Sequence, residues 1–178
     1  MYRIVIVGRF LSGSLSDPNG RVRAAAVNAL SRMQTPEWER EMERMLADPD
    51  SYVRQRAAIA LFRMGSKAVH QRIGSLGEEP EELRPVWAAV GLILGKFAPP
   101  EVLAYPASAG FLQELFPLED ADAAVRESPD TEHRRTAFRV LQVLSATAAE
   151  RAARELADDP DVELRREAAS VFRNPGPV

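Results

Sequence analysis

Asp17-Pro-Asn-Gly-Arg-Val-Arg-Ala-Ala-Ala-Val-Asn-Ala-Leu30 returns 31 residues later as Asp48-Pro-Asp-Ser-Tyr-Val-Arg-Gln-Arg-Ala-Ala-Ile-Ala-Leu61. A looser copy follows at the same step, Glu79-Pro-Glu-Glu-Leu-Arg-Pro-Val-Trp-Ala-Ala-Val-Gly-Leu92. Two more begin at Ser128 and Asp159, themselves 31 residues apart. Proline fills its column in all five copies (Pro18, Pro49, Pro80, Pro129, Pro160). It has no amide hydrogen, so it suits a turn or the first residues of a helix. The residue before it (Asp17, Asp48, Glu79, Ser128, Asp159) is of a type that caps free helix amides. Ala26, Ala57, Ala88, Ala137 and Ala168 share another column, and Leu30, Leu61, Leu92, Leu141 and Phe172 stand four residues further on. With the small or branched residue between them this is an i, i+3, i+4 stripe, the mark of an amphipathic helix.

A shorter apolar pattern precedes each motif. From about Pro36 to Ala47 it carries Trp38, Met42, Met45 and Leu46; from about Lys67 to Leu76 it carries Val69, Ile73 and Leu76; in the last copy it is the alanine-rich stretch 146–157. Helix, turn, helix at a fixed period is a unit that buries its apolar face only by stacking on its neighbours. The expectation is an all-α solenoid in one domain, 1–178, with repeats at roughly 1–34, 35–65, 66–97, 118–145 and 146–174.

Composition agrees. Hydrophobic residues make up 46%, charged residues 28% and aromatics 7%, which suits close helix packing more than a sheet sandwich. The net charge of -3 argues against a dedicated nucleic-acid binder, so nucleic acid is an unfavoured partner. Lysine occurs only at Lys67 and Lys96, so nearly all the positive charge is arginine. That reflects either fixed pairing with carboxylates or a GC-rich genome. Without cysteine there are no disulfides, thiolate metal sites or thiol nucleophiles. No apolar run approaches the ~20 residues of a membrane span, and the opening segment, broken by Arg9, makes a poor signal peptide. A cytoplasmic location, away from any membrane, is the expectation.

The pattern Asp-Pro-x-x-x-Val-Arg-x-x-Ala-x-x-Ala-Leu resembles the HEAT repeat family, in the short bacterial form called PBS-lyase HEAT-like repeats. The resemblance covers nearly the whole chain. It implies an armadillo-like right-handed α-solenoid, an alpha-alpha superhelix of about five HEAT-type hairpins, with the second helices on the concave side. It also implies that the arginine after the valine column pairs with turn carboxylates, a ladder between repeats. Arg23, Arg54, Arg134 and Arg165 hold that column, with Asp17, Asp48, Asp50, Asp130, Asp159 and Asp161 as partners. Pro85 takes its place in the third copy, where the ladder should break.

Two segments break the cadence. The third and fourth motifs lie 49 residues apart, leaving an insertion at 98–117 read as a loop plus a short helix near Ser108 to Phe116. It either forms a binding face or plugs the stack with Phe111, Leu112, Leu115 and Phe116. The first helix is apolar nearly all round (Ile4, Val5, Ile6, Val7, Phe10, Leu11) where a terminal repeat needs a polar face. It is covered by a partner, by a second copy in a homo-oligomer, or by further repeats; a short strand at Arg3 to Val7 is the alternative.

No catalytic set, cofactor site or metal site stands out. The only histidines, His70 and His133, have no ligand spacing, and there is no glycine-rich phosphate loop. His133, in the valine column, reads as a half-buried packing residue. Positions flanking the core stripe line up as a candidate concave partner-binding face: Arg32, Tyr52, Arg56, Arg63, Trp87 and Arg139, with Arg21 and Asn28 beside them. Arginine, tyrosine and tryptophan are the usual interface anchors. Trp87 is either part of that face or core. The reading is a non-catalytic scaffold or adaptor that binds a protein or peptide. The alternatives are a phycobilin-lyase-like or accessory HEAT protein, and a DNA-binding HEAT protein resembling alkylpurine glycosylases.

Overall fold

In the computed structural model four of the five proline turns share one construction. The residue before the proline accepts the amide two residues on: Asp17 from Asn19 (2.8 Å), Asp48 from Asp50 (2.9 Å), Ser128 from Asp130 (3.2 Å) and Asp159 from Asp161 (2.8 Å). The helix is capped by the residue after the proline. Asn19 accepts from Arg21 (2.9 Å), Asp50 from Tyr52 (2.9 Å), Asp130 from His133 (2.7 Å) and Asp161 from Leu164 (2.8 Å). The cap therefore sits two places later than the sequence suggested. A capping side chain reaches only the second or third helical amide, and the residue before the proline stands too far back to do so.

The structure describes residues 2–33 and 35–173, with side chains from 7 onward, and no strand occurs among them. The chain divides into two compact units, Met1–Trp87 and Ala88–Val178. The first holds α1 (Tyr2–Gly13), α2 (Gly20–Ser31), α3 (Glu39–Met45), α4 (Ser51–Arg63) and α5 (Ala68–Gly74); the division falls inside α6 (Arg84–Ile93). The second continues with α7 (Pro99–Leu103), α8 (Ser108–Leu115), α9 (Leu118–Glu127), α10 (Thr131–Leu144), α11 (Ala146–Glu155) and α12 (Val162–Arg173). The five second helices expected from the motifs are α2, α4, α6, α10 and α12. Segment 3–7 is helical, so the strand alternative falls.

In the first unit α2 packs along α4, and α4 along α3 and α5. The alanines of the stripe allow that approach: Ala24, Ala26, Ala57, Ala58 and Ala60 are all buried. Leu30, Leu61, Val27, Ile59 and Met42 are fully enclosed between them, each worth roughly 1.5–3 kcal/mol of transfer free energy. Gly8 lets α1 lie against Trp38, since a Cβ there would stand 2.6 Å from the indole ring. Ile4, Val5 and Ile6 have side chains outside the described residues. Val7 and Phe10, three apart on one face of α1, are exposed.

In the second unit α10 is the central helix, packed by α7, α8, α9 and α11, while α11 also packs on α12. The insertion holds two helices rather than one. Pro99 and Pro100 start α7 instead of breaking it, with the Glu101 carboxylate accepting the Ala98 amide (2.7 Å). Val102 and Leu112 are fully buried, and Phe111, Leu115 and Phe116 are half-buried. The insertion thus fills space against α10. His133 is exposed rather than half-buried, because it lies in the first turn of α10. There its ring stacks on Phe116, centroids 5.6 Å apart.

Arginines tie repeat to repeat. Arg23 donates two bonds to Asp48 (2.8 and 2.7 Å) and one to the Asp17 carbonyl (2.8 Å). Arg134 repeats this with Asp159 (2.8 and 3.0 Å) and the Ser128 carbonyl (3.0 Å). Arg54 pairs instead with Glu82, a partner the sequence reading missed. In the third copy, where Pro85 offers no guanidinium, Arg84 donates to the Glu79 carbonyl (2.9 Å). Burial alone would raise Asp48 and Asp159, but hydrogen bonds from Arg23 and Arg134, and from the Asp50 and Asp161 amides, hold both below the usual carboxylate range. Glu82 is lowered by its own amide and by Arg54, and Asp122 by Arg151 and, against some burial, Arg126.

Candidate partner-binding face

The first turns of α2 and α4 frame a hollow lined by Arg21, Ala24, Ala25, Asn28, Asp50 and Tyr52. Its floor is apolar because Ala24 and Ala25 present no bulk. Its rim is polar because both helices begin there with caps and arginines. Tyr52 is 48% exposed at the rim, and the Arg56 guanidinium lies 5.2 Å from the centre of its ring. A cation held over an aromatic face at that distance is favourable. Arg32 is exposed just beyond the end of α2, and Arg63 half-buried in the last turn of α4. Arg32, Tyr52, Arg56 and Arg63 thus belong to α2 and α4 in the first unit. Ala24, Ala25 and Asp50 are additions the sequence reading did not make. The alanine run was visible, but only the packing of α2 on α4 turns it into a floor.

Trp87 does not join them. It is fully buried, its Nε1–H donating to a Glu79 carboxylate oxygen (3.2 Å) that is itself enclosed. Glu79 also receives Arg72 (2.9 Å). Leu83 and Val90 on either side of it are buried too, so the third copy turns these positions to the core. The reason is compositional: Val86, Trp87, Val90 and Ile93 make α6 apolar on nearly every side.

Arg139 lies in the second unit, where Glu167 accepts two of its hydrogen bonds (2.7 and 3.1 Å). That contact raises the guanidinium above its ordinary value. Arg135 reaches Asp161 (3.1 Å) and Arg166 reaches Glu163 (2.6 Å), so charges on α10 and α12 largely satisfy one another. At this end the charged side chains form internal ion pairs.

Among the described residues no group of three or more histidine, cysteine, aspartate or glutamate side chains is placed to hold a metal. No described helix is long and apolar enough to cross a membrane. Residues 9–93 match the family model of HEAT repeats. No curated protein matches the chain.

Proposed function

We propose, since residues 9–93 match the family model of HEAT repeats, that the chain is a protein-binding scaffold whose working surface is the α2–α4 face. Helical-repeat scaffolds bind through surfaces repeated from helix to helix, and this face offers the ingredients in one place. The observation that carries the reading is Tyr52 standing half-exposed over an alanine floor, with Arg56 stacked on it and Arg21 across the hollow. An aromatic anchor beside guanidinium groups and a small apolar floor suits a peptide that presents one apolar side chain next to a carboxylate. The hollow offers no paired acid and base, so the role assigned is recognition, not turnover.

Selection from a displayed random-peptide library tests this directly. Enriched peptides should combine an apolar residue with Asp or Glu, and should bind Tyr52→Ala and Arg56→Glu at least about tenfold more weakly than the parent chain. Peptides that bind both variants as well as the parent would refute the assignment.

A further inference from the structure

Apolar side chains of the repeat motif stand exposed in the first and the last copies. In the valine column, Val53 and Leu164 are fully buried and the polar His133 is exposed, while Val22 of the first copy is an apolar side chain left 38% exposed. In the leucine column, Leu30, Leu61, Leu92 and Leu141 are fully buried, but Phe172 of the last copy is 49% exposed.

The polar rungs show the same asymmetry. Asp48 and Asp159 each hold an amide of their own turn and also receive a bidentate arginine from the repeat before. Asp17 holds its own amide and receives no guanidinium among the described residues. Arg23 and Arg134 each hold a turn carbonyl and donate two bonds forward to a carboxylate. Arg165 holds the Asp159 and Pro160 carbonyls and meets no carboxylate among the described residues. One end of the chain thus carries an acceptor without its donor, and the other carries the matching donor.

We propose that copies of this chain associate head to tail. The end formed by α11 and α12 docks on the α1–α2 end of a second copy, with Arg165 of one pairing to Asp17 of the next. The apolar patch around Phe172 and Val162 then covers Val22 and the exposed face of α1. A second copy is the occupant because both halves of the missing joint, apolar and charged, lie on one chain. The contact is heterologous: two different surfaces meet, so each copy leaves both a free donor end and a free acceptor end, and assembly proceeds to rings or filaments.

The test is association of the full chain by sedimentation velocity over rising concentration. The parent chain should form species larger than a dimer. Asp17→Lys and Arg165→Glu each set like charges against one another in the joint and should weaken association at least about tenfold. Mixing the two variants restores opposite charges at every joint, so the mixture should assemble again. Phe172→Glu and Val22→Glu, which leave the turn hydrogen bonds intact, should weaken association in the same way; circular dichroism checks that each variant is folded. A parent chain that stays monomeric overturns the proposal, and so does assembly that ignores all four substitutions. Loss of peptide binding in Arg56→Glu with assembly intact would show the two surfaces to be separate.

Discussion

Asp159→Asn should destabilise the protein far more than the loss of a surface ion pair. Asp159 and Arg134 are each only 8% exposed and share two hydrogen bonds, of 2.8 and 3.0 Å. Asparagine keeps an oxygen for the Asp161 amide but leaves the guanidinium buried without its counter-charge. Stranding one member of a buried pair costs about 3–5 kcal/mol. Arg134 retains the Ser128 carbonyl and Thr131 Oγ1, at 3.0 and 3.3 Å. Those contacts reduce the expected cost to roughly 2–4 kcal/mol, a fall in Tm of about 5–12 °C for a chain of this size. Adding Arg134→Met to Asp159→Asn should recover part of the loss, because no buried charge is then unmatched. The comparison is Arg166→Ala. Its partner Glu163 and Arg166 itself are 69% and 71% exposed, so Tm should move by no more than about 2 °C. Thermal unfolding followed by far-UV circular dichroism at neutral pH measures all three. If Asp159→Asn is no more costly than Arg166→Ala, the rungs do not hold repeats together as argued.

Other outcomes follow from the same contacts. Gly91→Ala should destabilise by about 1–3 kcal/mol, although alanine is the better helix former by about 1 kcal/mol. The added Cβ would stand 2.3 Å from the Phe97 ring, and a rise in Tm would contradict that contact. Asp130→Ala removes the cap on the His133 amide and should cost about 1 kcal/mol, seen as a lower urea midpoint. Asp48, Glu82, Asp122 and Asp159 all have lowered folded-state values. Their contribution is therefore complete above the unfolded values, ~3.9 for Asp and ~4.3 for Glu, and is lost as pH falls through the folded ones. The urea midpoint should hold from neutrality to about pH 5 and drop below about pH 4, and a midpoint that rises on acidification would contradict the pairing.

The repeat was readable because its columns obey strong local rules: proline punctuates a turn, and alanine and leucine at helical spacing mark a packed face. The rest depended on tertiary placement. Helix α7 was hidden because Pro99-Pro100 reads as a break until the Glu101 contact with Ala98 makes it a start. Trp87 looked available because it shares a column with Arg56. Whether that column faces solvent depends on the neighbouring helices, and in α6 the apolar residues extend all round. Glu82 escaped notice because pairing was sought in the aspartate columns, whereas Arg54 reaches the turn just before α6. Tyr52 and Arg56 were legible as residue types suited to contact. The alanine floor beneath them required knowing how closely α2 and α4 approach.

The reach of the rungs has a consequence for how the molecule comes apart. Arg23–Asp48, Arg54–Glu82, Arg134–Asp159 and Arg151–Asp122 tie residues only 25 to 29 positions apart. Such short loops close fast and open one at a time. Amide exchange should therefore proceed in blocks about one helical hairpin long, and the last hairpin, whose Arg165 finds no onward carboxylate among the described residues, should lose its protection first.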